Sequence, residues 1–167
     1  MRIMKTSLFL LSILLFACKS QDMDKKAKSN PELVFPKGNK ITNNNFTGNV
    51  WLHPLIENDS LNQNGVGSVT FEPGARTKWH LHPSGQILLA ISGTGYYQEK
   101  GSPVKILQKG DAVKCPPNIP HWHGAAPHDH FVQVAITGRE GGPVVWLDAV
   151  TDAEYNLGDK LKGKSKK

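Results

Sequence analysis

The stretch Gly74-Ala75-Arg76-Thr77-Lys78-Trp79-His80-Leu81-His82-Pro83-Ser84-Gly85-Gln86, closed by Gly93, decides the reading of this chain. His80, His82 and Gln86 share one parity, and alternate residues of an extended segment point to the same face, so three donor side chains turn inward together. A second stretch, Gly110 through Pro116 to His121-Trp122-His123, supplies another imidazole from a later strand. Three imidazoles and one amide oxygen on one side of a cavity suit a single divalent cation with about two positions left open. An oxygen ligand beside open octahedral positions points to manganese, iron or nickel more than to structural zinc. The competing reading is a cluster of hydrogen-bonded core histidines, which would bury several acceptors without partners.

Working outward, short runs rich in β-branched and aromatic residues alternate with Gly, Pro and Asn: Val66–Phe71, Gln86–Ile91, Val104–Leu107, His130–Ile136 and Val144–Val150. That pattern predicts an all-β sandwich or barrel. Thr151-Asp152-Ala153-Glu154 reads as a capping box that opens a short C-terminal helical turn through Tyr155. The chain shows no internal repeat and no nucleotide-binding glycine loop.

The ends are of a different character. Residues 1–17 join a basic start, Arg2 and Lys5, to a mostly apolar run from Leu8 to Ala17. The run is too short for a membrane span and reads as a signal peptide. Leu15-Phe16-Ala17-Cys18 resembles a bacterial lipobox, which makes Cys18 the lipidated residue; an ordinary cleaved signal is the alternative. Residues 18–45, polar and rich in Lys, Asn and Ser, are then a flexible tether, 46–155 the folded domain, and 156–167 a basic tail. The expected location is the bacterial cell envelope, as an exported lipoprotein of the outer membrane or periplasm, held to the membrane by its lipid anchor. With Cys18 lipidated, Cys115 is the one mature thiol, so no intrachain disulfide forms and Cys115 packs as a small apolar residue.

A net charge of +6 invites a nucleic-acid reading, but the charge is at the ends: +5 in residues 1–45, −3 in 46–155 and +4 in 156–167. A mildly acidic domain excludes nucleic acid as its partner. The basic ends are solvated tails or are drawn weakly to anionic lipid headgroups.

The two histidine stretches have the order and spacing of the first and second cupin motifs, and the resemblance implies a double-stranded β-helix, or jelly-roll barrel. It extends to Phe46-Thr47-Gly48, to Ser68-Val69-Thr70-Phe71-Glu72-Pro73-Gly74-Ala75-Arg76-Thr77, to His121-Trp122-His123-Gly124-Ala125-Ala126-Pro127 and to Val150-Thr151-Asp152-Ala153-Glu154-Tyr155. In these segments the chain is similar to small bacterial single-domain cupins that include manganese-dependent hydroxynitrile lyases, the carboxymuconolactone-decarboxylase-associated cupins. The resemblance implies metal ligands at His80, His82, Gln86 and His121 and manganese as the metal, with iron, nickel or zinc as alternatives.

Gln86 stands where the commonest cupin pattern has glutamate. Neutral ligands leave a divalent ion its full charge, which favours anionic ligands such as an enolate, a carboxylate or cyanide. Gln133 stands where the lyases place a further histidine, and an amide is no base near neutral pH. His123 shares the parity of His121 and is a candidate general base, substrate hydrogen-bonding group or contact behind the ligands. Arg76 either orients an anion at the barrel mouth or pairs with a surface carboxylate. Trp79 and Trp122, of opposite parity to the histidines, are expected on the outer face, and His128 and His130 in an exposed turn. The expected function is a metal-dependent small-molecule enzyme of lyase or isomerase type; the alternatives are a cupin oxygenase and a non-catalytic sugar or small-molecule binder. Small cupins often pair through outer sheet faces, and a homodimer is expected.

Overall fold

Along the chain run β1 (Asn39–Lys40), β2 (Phe46–Thr47), β3 (Val50–Ile56), β4 (Asn64–Phe71), β5 (Arg76–Thr77), β6 (His80–Leu81) and β7 (Gln86–Glu99). Then come β8 (Lys105–Gln108), β9 (Ala112–Cys115), β10 (His121–Ala125), β11 (Phe131–Gly138), β12 (Val145–Trp146), α1 (Asp152–Tyr155) and α2 (Leu157–Lys162). The computed structural model describes residues 33–162, and side chains as far as residue 159. The expected signal peptide, Cys18 and the last residues of the basic tail lie outside the described residues.

β7 organises the two sheets because both share it. Its first half pairs with β11 and β9, its second half with β10 and β8, all antiparallel. One sheet continues from β11 through β4 and β3 to β1, and the other from β10 through β5 to β2, with β6 bridging β10 and β12. The crossing from one sheet to the other falls at Gly93, whose φ of 73° is open to glycine and costly for other residues. A side chain there would also run into the carbonyl of His130. Beside it the β7–β11 register slips by one residue between Val132 and Gln133, a bulge that bends the strand. This is the expected all-β jelly-roll barrel.

Alternation along the strands fills two separate apolar clusters. Val50, Phe71, Leu88 and Phe131 pack between the sheets, joined by Cys115. Burial pushes the Cys115 thiol up to about 12, as suits a small packing residue. Trp79, Tyr96, Trp122 and Tyr155 form the second cluster, away from the first. Trp79 and Trp122 therefore pack away from the histidine cavity, as their parity predicts. The capping box forms: the Thr151 side chain accepts from Glu154 N at 3.2 Å, and Glu154 Oε2 accepts from Thr151 N at 2.9 Å. Tyr155 Oη donates to Ala125 O at 2.7 Å and ties α1 to β10.

Three details differ from expectation. The sheet takes in residues upstream of Phe46: β1 pairs with β3, and Ile41 N donates to Val50 O at 2.8 Å while its side chain packs on the core. Polar composition hides this strand, because its pairing is with residues ten or more positions away. Structure also continues past Tyr155 into α2. His130 is half-buried rather than exposed, since its Nε2 lies 3.0 Å from Ser92 Oγ and its Nδ1 3.2 Å from Asp129.

Candidate metal centre

β6 is only two residues long, yet it pairs on both sides, with His121 opposite His80 on β10 and Trp146 opposite His80 on β12. Cross-strand partners stand close on one face, and the His80 and His121 ring centroids are 4.4 Å apart. His82 follows where β6 gives way to a turn. Its carbonyl accepts from Gly85 N and Asn118 N, both at 3.0 Å, which holds the ring in position, 5.1 Å from His80 and 5.7 Å from His121. One ring nitrogen from each of the three histidines lies within 4.8 Å of the others.

The hydrogen bonds behind the rings decide what the nitrogens in front can do. His80 Nδ1 donates to Lys78 O and His121 Nδ1 to Ile119 O, each at 2.9 Å. In a neutral ring that leaves both Nε2 atoms as unprotonated acceptors. His82 Nε2 is buried and has no hydrogen-bond partner among the described residues. Gln86, the first residue of β7, donates from Nε2 to Thr137 Oγ1 at 2.9 Å, so its Oε1 turns to His121 Nε2 at 3.4 Å. Two acceptors at that separation repel unless a cation lies beside them. A divalent metal fits this donor set, in which His80 and His121 offer Nε2 lone pairs while their opposite nitrogens bond to backbone carbonyls.

Burial keeps the rings neutral. It is the main cause holding His80 well below the usual histidine value, followed by repulsion from His121. His82 is lowered to about 4 by burial, by His121 and by the guanidinium of Arg139, and His121 is lowered by burial. Neutral imidazoles are the form that binds a metal, so the site is set for one at neutral pH.

The histidine cluster lies against a cavity of about 350 Å³. Its walls are largely apolar, with Phe46, Leu52, Val69 and Trp146 among them, and Thr77, His123, Thr137 and Arg139 also reach it. His123 faces this space as expected. Its Nδ1 is 3.1 Å from Gln133 Nε2, while its own Nε2 is buried without a hydrogen-bond partner among the described residues. Gln133 is fully buried and touches His123 rather than the cavity, so it can act only through that ring.

Arg76 takes the second of its two readings. Its Nη2 is 2.6 Å from Asp152 Oδ1 and 3.3 Å from Val150 O, and the guanidinium lies 4.4 Å from the Tyr155 ring. It binds α1 to β5 and does not line the cavity. Thr77 does, because the strand breaks at Lys78 and Trp79 between β5 and β6 and the alternation restarts: Thr77 and His80, three apart, both face inward.

Ala135, Thr137, Arg139 and Trp146 were not singled out by sequence reasoning. Ala135 and Thr137 share the parity of Gln133, so the signal for them existed along β11, whereas Arg139 lies one residue past the strand, where alternation does not fix the face. Trp146 carried none, since its place beside His80, with ring centroids 4.9 Å apart, comes from the pairing of β12 with β6.

A cluster of imidazoles at the wall of an antiparallel jelly roll places this chain in the cupin family, to which it belongs; the family described as Cupin domain matches residues 67–137. The chain is 44% identical over 111 residues to the (R)-mandelonitrile lyase of Granulicella tundricola, an alignment covering 66% of this chain and 85% of that one. It is also similar to a crystal structure of a cupin-like protein from Thermotoga maritima, with 47% identity and a TM-score of 0.73 over 75% of this chain and 96% of that chain. A cupin-2 domain protein of Rhodospirillum rubrum shares the fold alone, at 15% identity and a TM-score of 0.58 over 79% of this chain and 93% of that one.

Proposed function

We propose that this chain is a divalent-metal-dependent enzyme of lyase or isomerase type, acting on a small molecule in the manner of a hydroxynitrile lyase, with manganese held by His80, His82, Gln86 and His121. The observation that carries this reading is His123, buried beside the histidine cluster with an unpartnered Nε2 at the cavity wall. The 44% identity to an enzyme named (R)-mandelonitrile lyase supports it. A bound divalent cation supplies Lewis acidity, lowering the pKa of a hydroxyl or water that it holds.

The residues around it move the proton. With the Gln133 amide donating to Nδ1, the ring proton of neutral His123 sits on Nε2, which then donates a hydrogen bond into the cavity. Turning that amide by 180° presents its oxygen instead, moves the ring proton to Nδ1 and leaves Nε2 as a base. Gln133 thus stabilises either tautomer, which suits a group that takes a hydroxyl proton and later returns it to a leaving anion. Burial, followed by repulsion from His80 and His121, holds His123 well below the ordinary histidine value, so it is a weak base suited to an acidified hydroxyl. Export through the N-terminal segment and anchoring by a lipidated Cys18 complete the proposal.

The test is reconstitution with manganese, elemental analysis, and release of benzaldehyde from (R)-mandelonitrile. We expect about one metal per chain and turnover that falls on the order of 10²-fold in His123→Phe at unchanged metal content. No turnover at full manganese loading removes the lyase reading, and oxygen consumption with iron loading would put an oxygenase in its place.

A further inference from the structure

Arg139 follows β11 by one residue and is the one cationic side chain among those lining the cavity. Its backbone is tied at both polar atoms: N donates to Gln63 O at 2.9 Å, and O accepts from Gly142 N at 3.0 Å. Its side chain is half-buried beside Gly65, where a Cβ would stand 3.6 Å from Arg139 Nε and 3.8 Å from Asn58 Oδ1. Arg139 Nε and the Asn58 carboxamide thus lie together over Gly65 at the cavity wall. Among the described residues Arg139 forms no salt bridge; Arg76 pairs with Asp152, and Lys37 and Lys100 pair with Glu72 and Glu154. A half-buried guanidinium with five fixed donors and no anionic partner is suited to an anion from outside.

Charge inside the cavity agrees with this. Arg139 lines the same cavity as His80 and His82, so its guanidinium is the cationic side chain that shares this space with the histidine cluster. Glu57 also borders the cavity, but it is exposed, where water screens its charge. Most of the remaining walls, Ile41, Leu52, Ile56, Val66 and Val144 among them, offer apolar contact, and Asn58, Thr77 and Thr137 add only neutral polar groups. A molecule that fits must therefore combine an apolar body with a charged end.

We propose that Arg139 determines the specificity of this cavity, its guanidinium binding the carboxylate of a substrate whose aliphatic or aromatic body fills the apolar walls while its reacting end faces the histidine cluster. The assignment rests on the metal-dependent reading of the site and ranks its substrates: among molecules of one shape a small apolar-bodied carboxylic acid is held more tightly than its neutral analogue, and a neutral cyanohydrin still reaches the histidine cluster without using Arg139.

Phenylacetate and phenylacetamide, alike in shape and different in charge, are the probes, with dissociation constants measured calorimetrically on the manganese-loaded and the metal-free protein. Wild type should bind phenylacetate at least about 10-fold more tightly than the amide. Arg139→Gln should lower that preference about 10-fold through weaker phenylacetate binding, with phenylacetamide unchanged, and Arg139→Lys should restore part of it. A preference unaltered in Arg139→Gln, an equal loss for both probes, or no binding of phenylacetate to wild type would overturn the proposal. Because the charge of Arg139 belongs to the chain, its effect on the ratio persists in metal-free protein. Failure of the metal reading appears separately, as absence of manganese by elemental analysis with the Arg139-dependent preference retained.

Discussion

Acid should destabilise the metal-free protein between pH 6.5 and 4, largely above the range of ordinary carboxylates, and the histidine cluster sets the size of the effect. His82 has a native value of about 4 against 6.5 for a free imidazole. The native state therefore binds fewer protons than the unfolded chain between those values, and the stability is complete above pH 6.5 and is lost as pH falls towards 4. At pH 5 the unfolded imidazole is almost fully protonated while the native one is nearly neutral, which gives a loss of about 2 kcal/mol from His82 alone. His80, His121 and His123 are lowered by burial as well and act in the same direction. The assay is urea unfolding of metal-stripped protein at pH 7.5 and pH 5, compared with His82→Ala. Wild type should lose at least about 2 kcal/mol between the two pH values, and the variant should lose about 2 kcal/mol less than wild type. Equal losses in the two proteins would mean that His82 is not held neutral in the fold, and the account of a buried, unprotonated ligand cluster would be wrong.

His82→Ala should also abolish binding of the one divalent metal per chain, read by elemental analysis after dialysis, because removal of one ligand opens the cation to water; full occupancy would sink the assignment of the site. Gln133→His should raise the rate of (R)-mandelonitrile cleavage on the order of 10²-fold at equal metal loading, since an imidazole against His123 Nδ1 can pass a proton that an amide cannot. Equal rates in wild type and variant would leave His123 sufficient without a relay. Cys18→Ser should move the protein from the membrane fraction to the soluble fraction, checked by blotting of fractionated cells; an unchanged membrane fraction would point to a different anchor.

What local order determines was present in the sequence. His80, His82 and Gln86 share a parity, and the motif spacing that adds His121 predicted the cluster now seen on one face of the barrel. The same alternation turned Trp79 and Trp122 outward, and four consecutive residues specified the capping box of α1. These patterns survive because strand alternation and helix capping depend on neighbours a few positions away. Arg76 shows where that reasoning ends: counting parity back from His80 places it inside, but the break at Lys78 and Trp79 restarts the alternation and gives the inward place to Thr77. Gln133 could be numbered from sequence, but its burial against His123 depends on the β7–β11 register and its bulge. Trp146 and Arg139 reach the cavity only because β12 pairs with β6 and β11 lies between β4 and β7. A strand's periodicity is written in its own residues, whereas the choice of neighbour comes from burying all the apolar faces at once, and that choice decides which side chains meet around the cavity.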